Sequence, residues 1–343
     1  MRFWINILLF VLVLPAFGQF QAGFDPAEAT YTISMCNSFN FMKQFGSDRD
    51  IVPESFSLVH TSEVMSMDNM FQVYENGQYG VINFRGSTEK MISWIENFYS
   101  AMIPANGIIK RGEVAVPYSF SSDEKAAVHA GYALTTVIMA NKIKEQITLL
   151  NEKGIYNIMI TGHSQGGALA TMTRAYLENL PSGSGQLEAK NSYKNYVYAA
   201  PMCGNQEFAT EYNELYANNG TSFSIVNPKD PIPTMPFNYE EDALVTKDKI
   251  KGWLFGADEF EAKRIGQNAL LKMFEGALTK HVISSNSLIN KVIAMTMGDV
   301  QMPEFVEDIN YFPTGTILEI DVFEYPKVEV DVTNLTQEEL QTY

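Results

Sequence analysis

One pentapeptide, Gly162-His163-Ser164-Gln165-Gly166, constrains this chain more than any other stretch of its sequence. Before it, Ile158-Met159-Ile160 and its apolar flanks predict a short buried strand; after it, the pattern predicts a helix from about Gly166 to Asn179, ended by Pro181. A serine with glycines two residues to either side fits a sharp strand-to-helix turn. Larger side chains would collide there, and the serine hydroxyl stands clear of the backbone. The first N–H groups of the helix, with the positive end of its dipole, suit a developing negative charge. The five letters alone recur by chance, but a strand before and a helix after are the required context.

The rest of the chain is compatible with such a unit in a mostly parallel sheet. Asp25-Pro26-Ala27-Glu28 predicts a helix start, with a capping Asp, Pro at the first helical position and Glu28 closing a capping box; the helix is expected to reach about Phe45, before Gly46. Phe71 to Tyr74 and Tyr79 to Phe84 flank Asn76-Gly77 and read as a hairpin. Ala133 to Lys153 reads as a long helix closed by Gly154. Val197 to Ala200 and Phe223 to Val226 are strand candidates, with a helical stretch over 207–217 between them. Strands alternating with helices argue for a parallel sheet covered on both faces. Residues 241–300 read as a mostly helical insertion, with Trp253-Leu254-Phe255 filling its core rather than lining an acyl pocket; strand-like Thr316 to Val322 and an acidic tail follow. With 343 residues, 46% of them hydrophobic, one main domain over 19–322 is expected, followed by a tail over 323–343.

Arg2, the apolar run Ile7 to Leu14 and small residues at Ala16 and Gly18 before Gln19 read as a secretory signal peptide over 1–18, which predicts a secreted or periplasmic protein. No later run approaches the roughly 18 apolar residues of a membrane helix. A formal net charge of −16 disfavours nucleic acid and anionic membrane surfaces as partners. An exported chain permits a bridge between its two cysteines, Cys36 and Cys203, but geometry decides. No clustered His, Cys or carboxylate spacing suggests a metal, and no cofactor is expected.

A serine nucleophile needs a histidine to take its proton and a carboxylate to orient that histidine. Asp230, in the turn-rich Asn227-Pro228-Lys229-Asp230-Pro231-Ile232-Pro233 after a strand, is the candidate carboxylate. Here the chain resembles the fungal-type (class 3) lipases, over roughly residues 70–240. Phe84-Arg85-Gly86-Ser87 resembles their oxyanion strand end, Trp94-Ile95-Glu96-Asn97 the start of their lid, and Val128-His129-Ala130-Gly131-Tyr132 the motif before their long helix. Thr161 to Gly167 resembles their nucleophile turn, with Gln165 where Leu is usual. Ala200-Pro201-Met202-Cys203-Gly204-Asn205 resembles a Pro-Arg-Val-Gly-Asn loop that here lacks its Arg, and Asp230-Pro231-Ile232-Pro233 resembles the catalytic-acid loop. The resemblance implies an α/β-hydrolase fold, with the helical insertion placed after the acid loop. It also implies an ester hydrolase acting on lipid acyl esters through an acyl-enzyme on Ser164, with Asp230 as acid and Ser87 and the backbone N–H of Gln165 as oxyanion donors. A non-catalytic binding module and an acyltransferase using the same site are the alternatives.

Of four histidines, only His281 follows Asp230, as the family's chain order requires. His163 and His129 match positions that are structural in the family. His281, however, precedes Pro313-Thr314-Gly315-Thr316-Ile317-Leu318, which resembles the strand that comes before the family's catalytic histidine. Either His281 is recruited from the insertion, or the base lies beyond Tyr343, or the chain carries no triad. Between the oxyanion strand and the long helix, Trp94, Ile95, Phe98, Tyr99, Met102 and Ile103 predict a helix with one apolar face. By resemblance this is a lid that meets lipid near Trp94; the other reading is a helix packed permanently on the core.

Overall fold

The computed structural model describes residues 20–40, 51–88, 90–180, 187, 190–236, 293, 298–308 and 310–321. The proposed signal peptide, Trp253-Leu254-Phe255, His281, the tail and the expected helix end near Phe45 lie outside these residues. In chain order the strands are β1 (Ser57–Thr61), β2 (Phe71–Glu75), β3 (Tyr79–Phe84), β4 (Met102–Pro104), β5 (Asn106–Arg111), β6 (Val114–Ser119), β7 (Ala127–His129), β8 (Asn157–His163), β9 (Ser192–Tyr198), β10 (Ser222–Val226), β11 (Val300–Gln301) and β12 (Thr316–Glu319). The helices are α1 (Pro26–Asn40), α2 (Met91–Phe98), α3 (Ala130–Glu152), α4 (Gln165–Glu178) and α5 (Gln206–Tyr212), the last running into a π-helical turn, Asn213–Ala217.

Seven strands form the main sheet in the order β1-β2-β3-β8-β9-β10-β12. The β1–β2 and β2–β3 pairs are antiparallel, and every pair from β3 to β12 is parallel. The expected hairpin is β2–β3: Asn76 Oδ1 accepts from the Gln78 and Tyr79 N–H groups, and Gly77 takes a left-handed φ of +82°. Parallel strands need crossovers, so helices cover both faces. α3 and α4 lie over one, where Leu134, Ile143, Ile158, Leu169 and Met172 share the larger core. α1 covers the other, with Met35, Cys36, Val81, Met159 and Tyr196 in a second core. Cys36 and Cys203 are buried in these different cores as free thiols, so the bridge the sequence left open is absent.

α1 is held by polar ties. Asp25 Oδ1 accepts from the Ala27 N–H at 2.8 Å, as a capping residue should. Glu28 does not close a capping box. It turns inward to Lys194 Nζ at 2.7 Å and accepts from the Tyr196 hydroxyl at 2.6 Å, because β9 carries a lysine that is 1% exposed and has to be paired. The same feature hid the start of β9, which begins at Ser192, five residues before the expected Val197. Lys194 and Asn195 interrupt the apolar run, yet both are buried, Asn195 donating to the Ala170 carbonyl.

Candidate active site

Parallel alignment brings the sequence-predicted residues to one end of the sheet. Phe84 pairs with Gly162, His163 with Tyr198, Tyr198 with Ile225, and Val226 with Glu319. The segments leaving the carboxyl ends of β3, β8 and β10 therefore emerge together, carrying Ser87, Ser164 and Asp230; in open α/β sheets ligands bind at this end.

Ser164 sits between β8 and α4 with φ 56° and ψ −128°. A left-handed φ is uncommon for a residue other than glycine and costs of order 1–3 kcal/mol, which the surrounding structure must hold. The holding contacts are visible. The Ser164 N–H donates to the Tyr198 carbonyl at 2.8 Å, and its own carbonyl accepts from the Gly167 N–H at 2.8 Å. A methyl at Gly162 would run into the Gly166 carbonyl, and one at Gly166 would meet the carbonyl oxygens of Phe84 and Arg85, the latter at 2.9 Å. Both glycines are thus required by contact as well as by motif, and Gly166 sets how closely α4 approaches the end of β3.

Ser87 and Gln165 meet directly. The Ser87 hydroxyl donates to Gln165 Oε1 at 2.8 Å and accepts from Asn97 Nδ2 at 2.9 Å. Gln165 Oε1 also accepts from the Ser93 hydroxyl at 3.0 Å, and its side chain is fully buried. The Ser87 hydroxyl proton is therefore committed to Gln165. Asp230 is half-buried; its N–H donates to the Asn227 carbonyl and its Oδ1 accepts from the Ile232 N–H at 3.0 Å.

Three histidines lie among the described residues. His163 precedes Ser164; burial lowers its pKa, while the charge of Asp230 acts to raise it, which places Asp230 within electrostatic reach. His129 caps α3, with Nδ1 accepting from the Tyr132 N–H at 3.3 Å and Nε2 3.2 Å from the Asn97 carbonyl; burial pushes its pKa down to about 3. His60, on β1, packs against Phe71.

The helix after the oxyanion strand is shorter than expected. α2 stops at Phe98, where the Tyr99 N–H closes on the Ile95 and Glu96 carbonyls. Met102 and Ile103 instead enter β4, antiparallel to β7. Ile95 and Phe98 are buried, and Trp94 is half-buried against Phe98. The helix also sends Ser93, Glu96 and Asn97 into the site's polar contacts; the sequence reading placed Glu96 and Asn97 in the lid motif and gave neither this role. The signal was present: Glu96 falls four residues after Ile92 and three before Tyr99, a carboxylate on the buried stripe.

Residues 81–240 match the family described as lipase (class 3). Those residues belong to the class 3 lipase family. The fold that carries them is the α/β-hydrolase fold, as its motifs implied. A secreted mono- and diacylglycerol lipase 1 of Fusarium solani is 29% identical over 112 residues, 32% of this chain and 29% of that protein. A phospholipase A1-II 1 of Oryza sativa subsp. indica is 27% identical over 177 residues, 46% of this chain and 39% of that one. The matched stretches thus span well under half the length of these relatives. A solved fungal lipase–inhibitor complex superimposes with a TM-score of 0.46 at 21% identity, covering 61% of this chain and 74% of that one. Among the described residues no helix is long and apolar enough to cross a membrane, and no cluster of three or more His, Cys, Asp or Glu could hold a metal ion.

Proposed function

We propose that this protein is an exported serine ester hydrolase that cleaves acyl esters of lipids through an acyl-enzyme on Ser164. The observation that carries the reading is the backbone of Ser164, a left-handed non-glycine residue at the head of a buried helix, held there by glycines that admit no methyl. Such strain is kept where a hydroxyl must stand clear of its own backbone.

In this mechanism a histidine takes the Ser164 hydroxyl proton as Oγ attacks the ester carbonyl carbon. The carbonyl π electrons move onto oxygen, and that oxyanion is met by the backbone N–H groups of Gln165 and Ser87. The Ser87 hydroxyl, engaged with Gln165, fixes the loop rather than donating to the oxyanion. Collapse expels the alcohol, which receives the proton; water then repeats the cycle on the acyl-enzyme. Asp230 orients the histidine. His281 is the base available in this sequence. The family pattern instead places the histidine after β12, whose carboxyl end, beside that of β10, opens toward the Ser164 end of the sheet. Export is supported by the signal-like start and by the secreted Fusarium relative. Lipid contact near Trp94 is proposed for the outer side of α2, since Ile95 and Phe98 face inward.

Short-chain ester hydrolysis by His281→Ala beside the unaltered chain tests the base. A loss of about 10³-fold or more assigns it to His281. Equal rates remove His281 from the mechanism.

A further inference from the structure

Beneath the Ser87–Gln165 contact lies a fully buried carboxyl group that the mechanism above does not use. Glu96 projects from the inner side of α2 and has no exposed surface. Its Oε2 accepts from Asn69 Nδ2, in the turn before β2, and Oε1 closes no hydrogen bond. Thr135 of α3 and Gln165 of α4 stand beside the carboxyl. One turn earlier on α2, Ser93 donates its hydroxyl to Gln165 Oε1, and its carbonyl lies 3.4 Å from Gln165 Nε2. One residue later, Asn97 donates to Ser87. Three residues of α2, Ser93, Glu96 and Asn97, thus converge on the residue after the nucleophile and on the oxyanion loop.

We propose that Glu96, acting with the side chain of Gln165, is a positioning residue that seats α2 against the first turn of α4 and so fixes the oxyanion donors. The proposal rests on the ester-hydrolase reading of Ser164. It gives the glutamine after the nucleophile a task that an apolar residue there cannot perform: its amide joins the oxyanion loop, the helix that follows that loop, and a buried acid.

The device depends on the charge state of Glu96. No cation faces it. Asn69, Thr135 and Gln165 are neutral, burial holds the neighbouring Tyr132 phenol well above its usual range, and His129 at the start of α3 is kept unprotonated. Asp68, next to Asn69, is turned away into its own pairs with Arg85 and Lys90. With its charge uncompensated, the Glu96 carboxyl is pushed up to about 8 by burial. Below that pH it is a neutral acid that fits its site. Above it, a buried carboxylate has to draw in water or move α2, and Ser93 and Asn97 move with it.

The test is the pH profile of kcat and KM for a soluble short-chain ester, measured on the full chain and on Glu96→Gln, Glu96→Ala and Gln165→Leu. In the unaltered chain kcat is expected to fall above pH about 8. Glu96→Ala and Gln165→Leu are expected to lower kcat roughly 10-fold or more at neutral pH with little change in KM, the signature of misplaced transition-state donors. Glu96→Gln should recover most of the loss in Glu96→Ala and move the alkaline limb upward, because the amide keeps the shape and cannot ionise. The same alkaline limb in the unaltered chain and in Glu96→Gln, with hydrolysis present in both, overturns this proposal alone. Full neutral-pH kcat in Gln165→Leu also overturns it, without relying on a variant of Glu96. Absence of hydrolysis by the unaltered chain at every pH overturns the ester-hydrolase reading and this proposal with it.

Discussion

Replacing Gly166 by alanine adds one methyl group at the closest approach between α4 and the end of β3. That methyl would overlap the Phe84 carbonyl oxygen and press on the Arg85 carbonyl, 2.9 Å away; Phe84 is paired at the end of β3, and the Arg85 N–H is held by the Met70 carbonyl. Backbone cannot rotate aside as a side chain can, so relief requires α4 and the oxyanion loop to part by roughly 0.5–1 Å. Over-packing of this kind costs about 1–3 kcal/mol, or a fall in Tm of roughly 3–10 °C for a domain of this size. The functional cost should be larger. The Gln165 and Ser87 N–H groups sit on the two bodies being pushed apart, and a misplacement approaching 1 Å is worth about 10²-fold in rate. The assay is kcat/KM on a short-chain ester at a temperature where far-ultraviolet dichroism shows the variant fully folded. Gly154→Ala is the control: Gly154 has φ +82° with open space around it, at the far end of α3, so it should lose about 1–2 kcal/mol from backbone strain and no activity. A folded Gly166→Ala protein with unaltered kcat/KM would refute the claim that this contact sets the oxyanion geometry.

Other consequences follow from the burial pattern. Lys194→Met should destabilise the protein by about 3–5 kcal/mol by stranding the buried Glu28 carboxylate, and adding Glu28→Gln should restore much of the loss; denaturant unfolding measures both. Cys36 and Cys203 should be inert to a thiol reagent in the native state and should both react on unfolding, since both are fully buried and burial pushes the Cys36 thiol up to about 12. His129 has its folded pKa pushed down to about 3 from 6.5, so the unfolded chain takes up a proton that the native one refuses. Stability supported by this group is complete above pH 6.5 and is lost as pH falls toward 3. His129→Gln should flatten that acid limb by close to one proton in the pH dependence of unfolding.

Much of the sheet was legible because its strands are apolar runs set between turn signals. The β2–β3 hairpin, β8, α3, α4 and β10 follow from the Asn76-Gly77 turn, the Ile158-Met159-Ile160 run, the Gly154 stop and Phe223 to Val226. What escaped did so for identifiable reasons. β9 hides buried Lys194 and Asn195, whose partners come from elements far away in sequence. The β5–β6 hairpin carries Pro117, which is tolerated only because β6 is an edge strand. The apolar residues from Trp94 to Ile103 read as one helix, yet the spacing could not show that pairing with β7 would take Met102 and Ile103 into a strand. Within the candidate site, the glycine-flanked motif pointed to Ser164, the turn-rich segment after a strand to Asp230, and Ser87 came from the family resemblance alone. The side-chain contacts of Gln165, Ser93, Glu96 and Asn97 depend on how α2 lies over α4, which is a tertiary fact.

The claim that matters most is that Ser164 is a nucleophile, and the most direct measurement is ester hydrolysis by Ser164→Ala against the unaltered chain, with labelling by a serine-directed phosphonate in parallel. The account predicts hydrolysis and labelling in the unaltered chain. In a variant that unfolds at the same or a slightly higher temperature, it predicts a rate lower by about 10³-fold or more and no label. A folded Ser164→Ala protein that hydrolyses the ester at the original rate would contradict it.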